Sequence, residues 1–374
     1  GSFSEKSIGN YDAVVDMALL ALAENFNMRE LIGYVERNLR LVSRMIQPDG
    51  TLYSFSSFRQ DSRMSINFNK YWRVFKKMAV LTGDSRWIYT FSYLGGDNID
   101  NINRNGIEFE YLSDEMLHPI NEIKEETLID RAEGCFLMSH LGLGRVLGNG
   151  YTVTVSSSNP GIIHLKKGEI DMFLSIYSSF FSRGQFKADD IRYEDGSFIL
   201  HKSVEYGYIR PFDKKPDTNV WEDMDHGTWA NVRLFNTPGL YPDWKDIDFG
   251  SRGHVKEQRL EYSLTLTPEE NALEIKFCIK GPSRLPYKLE FSFIAGGRVF
   301  SSDIDMKALP EAVLFAKRGE FTYRKATDEI HIGPCFSSHH ADEMRGEEII
   351  DRKRFHLCLS GIGCDERKIR LSWN

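Results

Sequence analysis

The apolar residues of this chain recur at helical spacing up to about residue 134 and at strand spacing beyond it, and the rhythm changes only once. Tyr11 to Phe26 gathers Ala13, Val14, Met17, Ala18, Leu20, Ala21 and Leu22 on one broad face, with Asn10 as the expected N-cap. Met28 to Ile46 places Leu31, Ile32, Val35, Leu39, Val42, Met45 and Ile46 three and four apart, and Pro48-Asp49-Gly50 stops it. A third helix is predicted from Phe68 to Leu81 and a short fourth from Ser85 to Tyr93, with another expected around Glu122 to Arg131. From Gly134 on, strands are predicted at Gly150–Ser156, Met172–Ser178, Ser197–His201, Glu261–Leu266, Leu273–Ile279, Lys288–Ile294, Ala312–Phe315 and Arg354–Ser360. Helices first and strands afterwards argue against a parallel βαβ sheet. They predict a multidomain α+β chain, with a helical domain over 3–133 and a large antiparallel β-sandwich over 134–374.

With 374 residues, both parts can bury a core. A net charge of −7 and the lack of a long basic run disfavour a nucleic-acid binder. No apolar run reaches the roughly 18 residues of a membrane span. The five cysteines are scattered and match no common zinc spacing, so free thiols are expected. Gly1-Ser2 has the look of a cloning scar, so removal of a preceding segment is expected, and the compartment, cytoplasmic or periplasmic, is not legible. Aromatic residues reach 13%, which suits sandwich cores and also grooves that stack sugar rings.

Two short motifs carry a resemblance. Gln47-Pro48-Asp49-Gly50-Thr51-Leu52 follows one helix and Ala79-Val80-Leu81-Thr82-Gly83-Asp84 ends another, after which Gly150 to Ser157 opens the strands. In this layout the chain resembles the heparinase II/III-like and chondroitin/hyaluronate lyase-like polysaccharide lyases, which join an (α/α) toroid to a β-supersandwich. The resemblance implies a partial toroid, because a closed one needs more helices than this sequence offers. It also implies β-elimination on a uronic-acid-containing glycan, an acidic polysaccharide or oligosaccharide as partner, and a site along the seam.

Such a reaction needs a group to neutralise the uronate, a base for the C5 proton and an acid for the leaving O4. Three clusters offer candidates. Between Tyr53 and Tyr71, Asn67 or Asn69 would hold the carboxylate, Arg63 would assist and Tyr71 would act in proton transfer; the competing reading is a solvated loop in which Asn67 caps a helix and Tyr71 packs. In the second cluster, Tyr206, Tyr208 and Arg210 share one face of an extended stretch, with Tyr206 as a candidate acid and the other two binding sugar; ordinary cross-strand packing competes. In the third, Asp225 would orient His226 as a base and Trp229 would stack a sugar ring, against a structural loop.

No cofactor and no metal ligand are assigned, although Asp223, Asp225 and His226 together leave a divalent cation open. A glycoside hydrolase using Asp61 with Asp223 or Asp225, and a non-catalytic carbohydrate-binding module, are the alternatives. The motifs of serine hydrolases, phosphate-binding loops, HExxH metalloproteases and dinucleotide-binding folds are absent.

Overall fold

A computed structural model describes residues 2–57, 59–94, 128–129, 132–209 and 254–374. Its helices are α1 (Tyr11–Asn25), α2 (Ile32–Met45), α3 (Trp72–Thr82) and α4 (Arg86–Tyr93). Single 3₁₀ turns, Arg29–Leu31 and Phe68–Tyr71, lead into α2 and α3, which shortens both relative to the sequence pattern. Asn10 makes no side-chain cap, whereas Asn67 accepts a hydrogen bond from the Asn69 backbone N–H before the turn into α3.

Strands β1 (Thr51–Leu52) and β2 (Ile66–Asn67) pair between α2 and α3. The next five are β3 (Gly134–Met138), β4 (Leu143–Gly148), β5 (Tyr151–Ser156), β6 (Ile163–Lys167) and β7 (Ile170–Ser178). They are followed by β8 (Asp190–Glu194), β9 (Ser197–Ile209), β10 (His254–Glu269), β11 (Ala272–Lys280) and β12 (Pro286–Phe293). Short strands β13 (Arg298–Phe300), β14 (Asp305–Lys307) and β15 (Val313–Phe315) precede β16 (Phe321–Lys325) and β17 (Asp328–Gly333). The chain closes with β18 (Phe355–Ile362) and β19 (Asp365–Trp373).

These strands form two large sheets. One has eight strands in the order β15-β18-β12-β7-β6-β5-β4-β3, antiparallel throughout except for the parallel β15–β18 pair. The other has nine, in the order β14-β13-β16-β17-β19-β11-β10-β9-β8. Their apolar faces meet in one core: Val153, Leu165, Leu174, Leu289, Phe291 and Leu357 from the first sheet lie with Leu200, Leu264, Ile275, Phe277 and Leu371 from the second.

The helices have a core of their own, built on Leu20, Val35, Leu39, Val42, Phe68, Phe75 and Met78. That core continues into Met138, Leu141 and Leu143 beside β3 and β4, so the helical layer is packed on one end of the eight-stranded sheet. The described helices do not close a ring, and the toroid implied by the resemblance is not seen among the described residues. No described helix is long and apolar enough to cross a membrane.

Candidate functional site

The eight-stranded sheet has one apolar face and one largely polar one. Its core side carries Val153, Val155, Ile163, Leu165, Met172, Leu174, Leu289, Phe291, Leu357 and Leu359, all at most 2% exposed. The opposite face carries Arg145, Thr154, His164, Ser175, Lys288, Glu290, Ser292 and His356, with Phe173 and Cys358 among them. An antiparallel sheet normally turns such a face to water. Here the same residues are 0–5% exposed. The cover at one end is the helical layer with the 46–57 connection, and at the other the 334–353 segment. A buried polar face is costly unless every group is partnered, and it is where functional chemistry concentrates.

At the helical end, the Pro48-Asp49-Gly50 turn docks onto the sheet. Gly50 takes φ +74, a left-handed conformation that favours glycine. Asp49 meets Lys166 Nζ at 2.9 Å, and Lys166 also reaches Asp171 at 3.2 Å. The chain then carries Tyr53 and Phe55 over His164. The Tyr53 and His164 rings are 5.7 Å apart between centroids, and His164 stacks on Phe173 at 4.1 Å with 9° between the planes. Phe55 lies across His164 and Phe173 at 6.1 and 4.8 Å. Asn159 Nδ2 donates to Tyr53 Oη at 3.0 Å, and the Arg145 guanidinium sits over the Tyr53 ring at 5.8 Å.

The electrostatics differentiate these groups. Burial pushes the Tyr53 phenol up to about 12, while Asn159, Arg145 and Arg63 pull it back. Burial holds His164 below the ordinary imidazole value despite Asp171, so its neutral form is favoured. Asp171 Oδ1 is 3.4 Å from His164 Nε2, but neither ring nitrogen makes an aligned hydrogen bond. Burial alone would raise the Asp171 carboxyl; His164, Arg354 and Lys166 outweigh it and hold that carboxyl far below the usual range. The cluster therefore sets an imidazole favoured in its neutral form against a buried phenol, two groups able to exchange protons with a bound molecule.

Of the residues singled out in the sequence, Arg63 is exposed, adopts φ +65 and acts electrostatically on Tyr53. Asn67 is a turn cap, Asn69 is buried, and Tyr71 is buried with its hydroxyl donating to the Ile8 carbonyl at 2.7 Å. The Asn67 and Tyr71 bonds hold the local fold together. Tyr206 and Tyr208 do share a face of β9, where their rings lie 5.6 and 5.2 Å from Phe181. That strand belongs to the other sheet, so the structure does not bring these two tyrosines to Tyr71. Arg210, His226 and Trp229, like Asp223 and Asp225, lie outside the described residues.

Asp61 is 2% exposed and accepts from Ser7 Oγ, the Gly9 N–H and Ser57 Oγ, a loop-bracing role that leaves the hydrolase reading without its first carboxylate. His339 Nε2 donates to the Tyr287 and Gly361 carbonyls, 3.1 Å from each. No group of three or more metal-ligating side chains forms among the described residues.

Sequence reading gave no functional role to His164 or Asn159. The signal for His164 was the Ile163-His164-Leu165-Lys166 alternation, although nothing local says that its polar side is covered.

No protein-family model matches the chain, and no curated protein does. Among solved structures, a galactose mutarotase related enzyme from Lactobacillus acidophilus aligns over 62% of this chain and 97% of its own, at 8% identity and a TM-score of 0.27. A score of that size assigns neither fold nor chemistry.

Proposed function

We propose that the protein is a carbohydrate-active enzyme that cleaves a uronic-acid-containing glycan by β-elimination at the seam between the helical layer and the eight-stranded sheet. The observation that carries this reading is the convergence of Tyr53, Asn159 and His164, with Arg63 acting on the phenol through its charge. Arg63 and the second Asn159 N–H would hold the uronate and make the C5 proton more acidic. His164, kept neutral by its surroundings, would take that proton, and Tyr53 would return one to the departing O4. Atoms balance: the C5–H and C4–O bonds break, a C4–C5 double bond forms, and the leaving sugar gains a hydroxyl. Tyr53 is 1% and His164 2% exposed, so entry of a glycan requires the half-buried Phe55 to lift from Phe173.

The test is incubation with heparin, chondroitin, hyaluronan and alginate, read by the ultraviolet absorbance of an unsaturated uronide. A rise that is lost in Tyr53→Phe supports the reading. New reducing ends without unsaturation would point to hydrolysis, and binding without turnover to a carbohydrate-binding module; either result overturns it.

A further inference from the structure

Between β7 and β8 the chain makes a turn that its own residues oppose. Phe181 and Ser182 take φ +47 and +60, and the turn closes with the Arg183 N–H donating to the Phe180 carbonyl at 2.7 Å. A turn with both central residues left-handed is ordinarily built from Asn-Gly or a similar pair, and a bulky residue there is strained. Three groups hold it in place. Tyr262 Oη donates to the Gly184 carbonyl at 2.7 Å, and Lys202 Nζ donates to the Arg183 and Gln185 carbonyls. Gly346 packs so closely on the Ser182 backbone that a Cβ there would collide with it.

The strained turn delivers two side chains to the end of β9. Phe181 lies 5.6 Å from the Tyr206 ring and 5.2 Å from that of Tyr208, edge-to-face with the latter at 83°. Arg183 places its guanidinium 4.4 Å over the Tyr206 ring. On β10, Gln258 stands directly opposite Tyr206 and therefore on the same face of the sheet. Packing accounts for Phe181 and Tyr206, which are half-buried against the sandwich core. It does not account for Tyr208, 59% exposed, or for Arg183 and Gln258, both exposed. Among the described residues Arg183 has no carboxylate partner, whereas Lys187 on the same loop pairs with Glu348, and Arg259 on β10 with Glu205.

A row of rings flanked by a guanidinium and an amide, raised from three separate segments, suits the flat apolar face and the polar rim of a sugar. The arginine narrows the class to a sugar that carries an acid. Nucleic acid would also offer rings and anions, but the net charge of −7 opposes it. We infer that Phe181, Tyr206 and Tyr208 form a stacking platform for a pyranose ring of an acidic glycan, whose carboxylate pairs with Arg183 while Gln258 bonds a ring hydroxyl. The platform belongs to the nine-stranded sheet, holds glycan without transforming it, and is independent of the elimination proposed for Tyr53.

The test is titration calorimetry of the full chain, in the Tyr53→Phe background so that turnover adds no heat, with hexasaccharides of hyaluronan and alginate and with neutral cellohexaose. An acidic oligosaccharide should bind, and cellohexaose about tenfold more weakly or not at all, as loss of a charged hydrogen bond does. Arg183→Gln should abolish that preference. Tyr208→Ala should weaken binding about three- to tenfold, and Tyr208→Phe should restore most of it because the ring remains. Both positions are exposed, so both variants should fold. Cellohexaose binding as tightly as the acidic oligosaccharides, or unchanged affinity in both Arg183→Gln and Tyr208→Ala, would overturn the inference. So would the absence of binding by either acidic oligosaccharide to a protein whose thermal unfolding shows it folded. Affinity is read here and not unsaturation, so a chain without lyase activity tests the platform equally.

Discussion

Arg145, on β4 of the eight-stranded sheet, donates through Nη2 to the carbonyl of Ile46 at 3.1 Å, just past the end of α2. Its Nε reaches the Arg44 carbonyl at 3.1 Å, and Nη1 donates to Thr154 on the neighbouring strand. One fully buried guanidinium thus ties the last turn of a helix to the sheet. Arg145→Met would leave two carbonyls and a hydroxyl without this donor, and should cost about 3 kcal/mol. The measurement is the urea midpoint. An unchanged midpoint would show that the helical layer is held by its apolar contacts alone.

The inner face of α1 predicts an unusual pH profile. Asp12 and Asp16 are 1% and 0% exposed, and neither oxygen of Asp16 has a hydrogen-bond donor. Burial pushes Asp16 up to about 9, with Asp12 adding to the effect, and pushes Asp12 up to about 6 against a hydrogen bond from Asn38. Both folded values exceed the roughly 3.9 of an unfolded aspartate, so the folded state binds more protons. Their stabilising contribution is complete below about pH 4 and drains away as pH rises through 6 and then 9. Asp16→Asn should remove the upper part of this slope. In thermal unfolding at about pH 5, 7 and 9 the melting temperature of the variant should gain on wild type as pH rises; a constant difference would rule the assignment out.

At the seam, Tyr53→Phe should lower kcat by roughly 10²–10⁴ if the phenol is the acid. The base limb of kcat/KM should lie below the ordinary imidazole value of about 6.5, because burial holds His164 down. Asp171 pulls in the opposite direction, so Asp171→Asn should move that limb to still lower pH. A limb at or above the ordinary value would exclude His164 as the base.

Lys288→Met would strand Glu290 and Glu347 in the covered face, at a cost of about 3–5 kcal/mol near neutral pH. Burial works against ionisation of Glu290, but His356 and Lys288 hold its carboxyl below the usual range. Glu290 therefore contributes stability above the unfolded value, and this is lost as pH falls through the folded one. The penalty of Lys288→Met should accordingly shrink in acid, where the stranded carboxyls take up protons. Chemical denaturation at two pH values measures it; a penalty that grows in acid would contradict the pairing.

Much of the layout was legible in local pattern. Alternation in Tyr151-Thr152-Val153-Thr154-Val155 and in Lys288 to Phe293 foretold strands, and the first strand of the eight-stranded sheet begins at Gly134, where the helical spacing ends. The 3₁₀ entries to α2 and α3 were invisible because i+3 and i+4 apolar spacings are compatible with both helices. The site was read less well. Asn67, Asn69 and Tyr71 looked reactive by composition, yet Tyr71 finds its acceptor 63 positions away at Ile8. His164 and Asn159 become interesting only because Tyr53 lies over them, and a contact of that range has no local signal.

The alternating faces of the eight-stranded sheet also bear on how the chain finds its pairing. In an ordinary half-exposed sheet, a strand that slips by one residue exposes apolar groups to water, and only one face objects. In β12 such a slip would drive Lys288, Glu290 and Ser292 into the space now filled by Leu289, Phe291 and Phe293, and set those apolar groups against Ser175 and Tyr177 on β7. Misregister is thus penalised from both sides, and the covered polar lamina serves the folding chain as a proofreading template.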